Sequence, residues 1–128
     1  MLSLAGLHPI ARERAEAALA RARARGVVVR LTSVVRSTAS QRRLYDAYLA
    51  RGRTGLPAAA PGTSTHEYGL AFDAVVARGR LSEFVRIAEC AGLKWAGARD
   101  PVHFDVYGFE AWSDVLAGRA IRRVVYAC

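Results

Sequence analysis

Apolar residues recur along this chain with two periods, and the switches between them mark out its elements. Pro9 opens the run I-A-R-E-R-A-E-A-A-L-A-R-A-R-A-R, in which Ile10, Ala11, Ala15, Ala18 and Leu19 share one helical face and the arginines take the other. Gly26 ends this helix. The β-branched run V-V-V-R-L-T-S at 27–33 predicts a strand. A second helix is expected over 38–51, capped by Thr38 or Ser40 and stopped by Gly52. Its Leu44, Tyr45, Tyr48 and Leu49 recur at helical spacing, which predicts a stripe facing the core. Residues 52–63 hold two prolines and three glycines and read as a loop able to border a groove.

Period two then takes over. In A-F-D-A-V-V at 71–76, Asp73 shares a face with Ala71 and Val75, opposite Phe72 and Ala74. An amphipathic helix follows at 81–91, ended by Gly92, and K-W at 94–95 begins a short strand. V-H-F-D-V at 102–106 alternates again, with His103 and Asp105 on one face and Val102, Phe104 and Val106 on the other. A short helix is expected at 109–117, and the tail A-I-R-R-V-V-Y-A-C is strand-like. Helices interleaved with short strands predict an α+β fold, a small antiparallel sheet with helices packed on it, in one domain over residues 1–128.

Composition narrows the classes. With 52% hydrophobic and 23% charged residues, the chain is globular and not disordered. It has no apolar run of membrane-spanning length. The start M-L-S-L-A-G-L-H-P lacks a basic region and an apolar core, so no secretory signal is expected. The expectation is synthesis in the cytoplasm, with any action on cell wall following release by another agent, and a monomeric protein. Cys90 and Cys128 lack C-x-x-C spacing; Cys90 is expected as a buried thiol and Cys128 as a free one. The net charge of +8 is nearly all arginine and favours anionic partners such as wall polymers, carboxylate-rich peptidoglycan or nucleic acid. Spread-out arginines without interleaved aromatics predict a solvated face and no specific nucleic-acid binding.

The candidate chemistry lies in two stretches, S-T-H-E-Y-G-L-A-F-D at 64–73 and D-P-V-H-F-D at 100–105. They hold two of the three histidines, His66 and His103, with Asp73 and Asp100. The third, His8, reads as a local hydrogen-bonding group. Two imidazoles and a carboxylate form a common three-ligand set for catalytic zinc, with the fourth position left to water. A carboxylate three residues before a ligand can sit beside that water as a general base. His66-Glu67 is not the helical H-E-x-x-H motif, because position 70 is Leu. Asp105 is a candidate acceptor for the second N–H of a ligand histidine. Gly69 suits a close backbone approach or a positive φ beside the site.

The pattern S-x-H-x-x-G-x-A-x-D followed by D-x-x-H-F resembles the zinc peptidases that cut peptidoglycan stem peptides. That family includes VanY-type D-alanyl-D-alanine carboxypeptidases and L-alanyl-D-glutamate endopeptidases, some of them phage endolysins. S-V-V-R-S at 33–37, Gln41, L-Y at 44–45 and P-G at 61–62 extend the resemblance over roughly residues 7–107. The resemblance implies a fold shared with the hedgehog signalling domain and a Zn2+ ion held by His66, Asp73 and His103. It further implies Asp100 as general base and Arg36 as the group that grips a substrate carboxylate or polarises its carbonyl. Gln41 is implied to reach the substrate or brace Arg36, and Ser64 to touch a ligand or fix the turn. Val34-Val35 departs from the Gly and aromatic residue of many relatives. Asp at 100, where dipeptidase relatives often carry Glu, leans towards the endopeptidase and endolysin branch. Two other readings stand beside this one: an inactive zinc-bearing module that binds wall, and a basic nucleic-acid-binding domain.

Overall fold

The structure is a computed structural model that describes residues 2–106. In chain order its elements are α1 (Pro9–Ala24), β1 (Val29–Ser33), α2 (Thr38–Ala50), a 3-10 turn (Thr65–Tyr68), β2 (Ala71–Val76), α3 (Leu81–Cys90), β3 (Leu93–Trp95) and β4 (His103–Val106). The helix expected at 109–117, the strand-like tail and Cys128 lie outside the described residues. The strands form one antiparallel sheet in the order β1-β2-β4-β3. The architecture is α+β, as the alternation of periods predicts.

Strand alternation divides the sheet into two chemically different faces. Phe72, Ala74 and Phe104 point into the core, each 1% exposed or less. Phe104 stacks on Phe72 at 5.5 Å between ring centroids and meets Phe84 of α3 edge-on at 5.1 Å. Burying a large aromatic side chain is worth a few kcal/mol, so this trio fixes the inner face of β2 and β4. Asp73 and His103 then have no choice but the outer face.

Helix α1 covers the core through Ala11, Ala15, Ala18 and Ala22, none more than 2% exposed. Ala11, Ala15 and Ala18 belong to the predicted stripe, which continues to Ala22, and Ile10 and Leu19 flank it half-buried. Its small side chains let α1 sit close against α3, and Arg14 Nη1 donates across to the carbonyl of Gly92 at 2.8 Å. His8 caps α1, accepting the Ile10 amide on Nδ1 at 3.4 Å. Cys90 is half-buried at the end of α3 and is not a free thiol, contrary to the sequence expectation.

Helix α2 departs most from expectation. Its cap is Ser37, whose Oγ accepts the Ser40 amide at 3.1 Å, and not Thr38 or Ser40. The predicted core stripe is open: Leu44 and Leu49 are exposed, Tyr45 and Tyr48 half-buried, and Gln41 is the helix's one buried residue. The amphipathic pattern is real, but part of its apolar side lines a cleft.

Gly69 ends the 3-10 turn with φ of 70°, a left-handed conformation that disfavours any side chain. Its carbonyl accepts the His8 amide at 2.9 Å, and an added Cβ would lie 2.9 Å from that same nitrogen. Both reasons advanced from the sequence for a glycine here therefore hold. Gly69→Ala should destabilise the protein by at least ~1–2 kcal/mol from backbone conformation alone. Urea unfolding of the two proteins measures this, and equal midpoints would show that the turn relaxes without cost.

Candidate metal centre

Asp73 and His103 are direct cross-strand partners in the β2–β4 ladder. Pairing plus alternation places both side chains side by side on the outer face. Asp73 Oδ1 and His103 Nδ1 lie 3.3 Å apart. His66 arrives from the 3-10 turn, with Nε2 at 3.0 Å from Asp73 Oδ1 and 3.2 Å from His103 Nδ1. The sequence reading puts a turn at Ser64 but assigns no 3-10 helix after it. The signal was present in S-T-H-E, the S-x-x-E capping box. Ser64 Oγ accepts the His66 amide at 3.3 Å, and Glu67 accepts the Ser64 amide at 3.3 Å. Glu67 also accepts the Gly62 amide at 2.9 Å and the Thr38 hydroxyl at 2.9 Å, tying the loop to α2. Thus the turn that presents His66 is pinned by Ser64 on one side and Glu67 on the other.

The two imidazoles are oriented by acceptors on their far sides. His66 Nδ1 lies 2.8 Å from the carbonyl of Val34, which can only accept, so Nδ1 carries the hydrogen. His103 Nε2 lies 3.3 Å from Asp105 Oδ2 and 3.5 Å from the Thr65 hydroxyl. Asp105 thus has the position of an outer carboxylate that fixes a ligand's tautomer. With those hydrogens placed, neutral rings direct bare lone pairs from His66 Nε2 and His103 Nδ1 at Asp73 Oδ1. All three donor atoms lie within 4.8 Å of one another. Three electron-rich atoms at such separations repel unless a cation sits among them, and two nitrogens with one carboxylate oxygen suit zinc. The residues therefore fit the ion that the sequence resemblance implies.

The same demand for positive charge appears in the acid–base properties. Burial works to raise Asp73, but hydrogen bonds and charge from His103 and His66 outweigh it and hold its carboxyl well below the usual range. Burial works to lower His103, but Asp105 and Asp73 prevail and push it up to about 9. In the metal-free chain a proton thus supplies the missing charge until about pH 9, and zinc must displace it. Zinc affinity should rise about tenfold per pH unit from neutrality until that proton is lost, then level off. Competition against a chelator of known affinity at several pH values tests this. An affinity independent of pH would show that His103 is not where zinc and proton compete.

Arg36, at the exit of β1, holds the other oxygen of Asp73. Its Nη2 lies 3.3 Å from Asp73 Oδ2 and 2.7 Å from Ser33 Oγ, and Nη1 donates to Gln41 Oε1 at 2.9 Å. Ser33 is brought opposite Asp73 by an irregularity in the β1–β2 register after Leu31. Gln41, 1% exposed, uses its amide nitrogen on the Ala59 carbonyl at 2.8 Å. Of the two roles weighed for Gln41, the geometry provides the bracing of Arg36. For Ser64 it provides the fixing of the turn. Sequence reasoning missed Ser33, Thr65 and the Val34 carbonyl. A carbonyl belongs to every residue and carries no sequence signal.

His66, Asp73, His103, Arg36, Gln41, Ser64 and Asp100 all line one cleft of about 620 Å3, which Leu44, Tyr48, Leu56 and Pro57 also line. Asp100 enters from the turn before β4, where its carbonyl accepts the His103 amide at 3.1 Å. Burial raises its carboxyl above the ordinary value, with the charges of His103, His66 and Arg36 pulling against that and Asp73 adding to it. Among the described residues nothing hydrogen-bonds to the Asp100 carboxylate. A carboxylate left free in a cleft beside a metal-type donor set is suited to taking and returning a proton.

The chain matches the VanY D-alanyl-D-alanine carboxypeptidase family over residues 5–110 and belongs to that family. The family's members are peptidoglycan hydrolases, and this chain is an enzyme of that group. Solved structures share its fold. A zinc complex of a point mutant of the D,D-pentapeptidase VanY, from a VanB-type vancomycin-resistance cassette, superposes with a TM-score of 0.65 at 23% identity, over 89% of this chain and 80% of that one. The LD-carboxypeptidase LdcB gives 0.65 at 17% identity, over 88% and 64%. The L-Ala D-Glu endopeptidase ChiX of Serratia marcescens gives 0.59 at 21% identity, over 80% and 82%. No curated protein matches the chain at a significant level. No helix among the described residues is long and apolar enough to cross a membrane.

Proposed function

We propose that this protein is a zinc-dependent peptidase that removes the terminal D-alanine from peptidoglycan stem peptides. The observation that carries this reading is the convergence of His66 Nε2, Asp73 Oδ1 and His103 Nδ1 in a cleft that Asp100 also lines. A zinc ion would be held by these three residues and would supply Lewis acidity for activating water. The chain's own groups do the rest. Asp100 takes the proton from the attacking water and returns it to the departing amine. Arg36, braced by Ser33 and Gln41, holds Asp73 Oδ2 and presents fixed positive charge in the cleft. Its Nη2 hydrogens are spent on Ser33 and Asp73, which leaves Nε and the second Nη1 hydrogen for a substrate oxygen. The apolar side chains of Leu44, Tyr48, Leu56 and Pro57 line the same cleft and offer contact to the remainder of the substrate.

Family membership favours the D-alanyl-D-alanine bond. A second reading, cleavage between L-alanine and D-glutamate as in an endolysin, draws on the shorter acid at Asp100 and on the likeness to ChiX. Digestion of purified peptidoglycan with mass analysis of the products separates them. Free D-alanine, suppressed by a chelator and restored by zinc, is the expected result. Fragments cut after L-alanine support the second reading. Absence of any product from zinc-loaded protein would leave a wall-binding module without catalysis.

A further inference from the structure

At the end of the sheet beyond the cleft, the fold gathers positive charge that the site does not use. The C-terminal turn of α1 carries Arg21 and Arg23, and Arg25 follows as its cap. β1 leaves from the same end with exposed Arg30. β2 arrives there and continues into Arg78 and Arg80. The Ala77 amide donates to the Val28 carbonyl at 2.9 Å, and Arg80 Nη2 donates to the Arg25 carbonyl at 3.4 Å. These contacts join the three segments at one edge. Glu83, which pairs with Arg80 at 2.9 Å, is the carboxylate there. The acids of α1, Glu13 and Glu16, lie in its first half, and Glu16 is held by Arg12. Among the described residues, no carboxylate pairs with Arg21, Arg23, Arg25, Arg30 or Arg78.

The pole of the helix dipole favours cations at this terminus, but it amounts to about half a charge and falls off within a turn. It does not account for Arg30 and Arg78, which lie on other elements. Val76 is three residues past Asp73 along β2, roughly 10 Å, and Arg78 lies beyond it. Arg78 and the arginines of α1 therefore lie beyond the cleft, and their occupancy leaves it open, whereas Arg30 pairs with Val75 on the Asp73 face of the sheet. Among the described residues the edge's exposed apolar neighbours are Val28 and Val75, and neither offers a ring for stacking. Guanidiniums without stacking partners suit a flexible chain of phosphodiesters better than nucleobases.

We propose that this arginine edge is a docking surface for a phosphodiester-bearing polymer of the cell wall, holding the enzyme on its substrate by charge alone. The inference rests on the proposed action in the wall, but its test does not depend on catalysis. The zinc-loaded full chain is mixed with purified walls before and after acid removal of their phosphate polymers, and the retained protein is measured across a salt series. Retention on intact walls should fall steeply with salt and be at least about tenfold weaker on stripped walls. A triple variant, Arg21→Gln, Arg25→Gln and Arg78→Gln, should lose retention by a similar factor. Arg42→Gln, Arg43→Gln and Arg53→Gln, on and just after α2, remove equal charge and should leave retention within about twofold. Cleavage of a soluble stem peptide, followed in parallel, should be unchanged in both triples. A failure there in the unmutated protein would count against the peptidase reading only. Equal retention on stripped and intact walls, or equal losses in the two triples, would overturn the docking surface. Binding to duplex DNA that survives about 0.15 M salt as well as wall binding does would also overturn it, in favour of nucleic acid.

Discussion

Asp100→Asn is expected to keep zinc and lose peptide release by about 10²–10⁴-fold. The substitution preserves shape and removes the only function a free carboxylate has in that position. Its neighbours do not offer a replacement. Both oxygens of Glu67 are taken up by the Gly62 and Ser64 amides and the Thr38 hydroxyl. Asp105 is engaged with His103 Nε2 at 3.3 Å. A variant that retains metal and full activity would send the search for the base back to these two. A variant that loses the metal would make Asp100 a ligand or a prop for one. The defect should fall on kcat more than on KM, because proton transfer is made in the transition state.

The second large effect is loss of the metal itself. His66→Ala and His103→Ala each leave two donors where a stable catalytic site needs three. Protein purified without added metal should contain close to one zinc per chain, and each variant close to none, by elemental analysis. Activity should disappear with the metal. Arg36→Ala is the informative contrast. It removes the partner of Asp73 Oδ2 at 3.3 Å but no donor, so zinc should remain while turnover falls. Full zinc in both histidine variants would sink the ligand assignment.

Much of this site was legible before any coordinates, for a simple reason. Alternation in A-F-D-A-V-V and V-H-F-D-V states which face each residue takes, and Phe72 and Phe104 are too apolar to be anywhere but inside. That alone puts Asp73 and His103 outward. That they meet depends on the pairing of β2 with β4 in one register, which periodicity cannot supply. The role of α2 was misjudged because helical spacing of Leu44, Tyr48 and Leu49 says that one side is apolar, not what it touches. A binding cleft and a core make the same demand on sequence. The buried residue of that helix is polar Gln41, which a hydrophobic count passes over. The 3-10 turn escaped notice because it spans only Thr65–Tyr68, shorter than any hydrophobic period can report. Its capping pair, Ser64 and Glu67, was the readable trace.

The direct pairing of Asp73 with His103 has a mechanical corollary. Two of the three donors sit on facing rungs of one ladder, so the coordination geometry gauges how β2 and β4 are aligned. A slip of one residue would turn either side chain into the aromatic core and bring Phe72 or Phe104 out to solvent. The misaligned sheet could neither close its interior nor grip an ion. A bound cation is thus a rivet through two strands, and holding it selects the correctly threaded chain from its near misses.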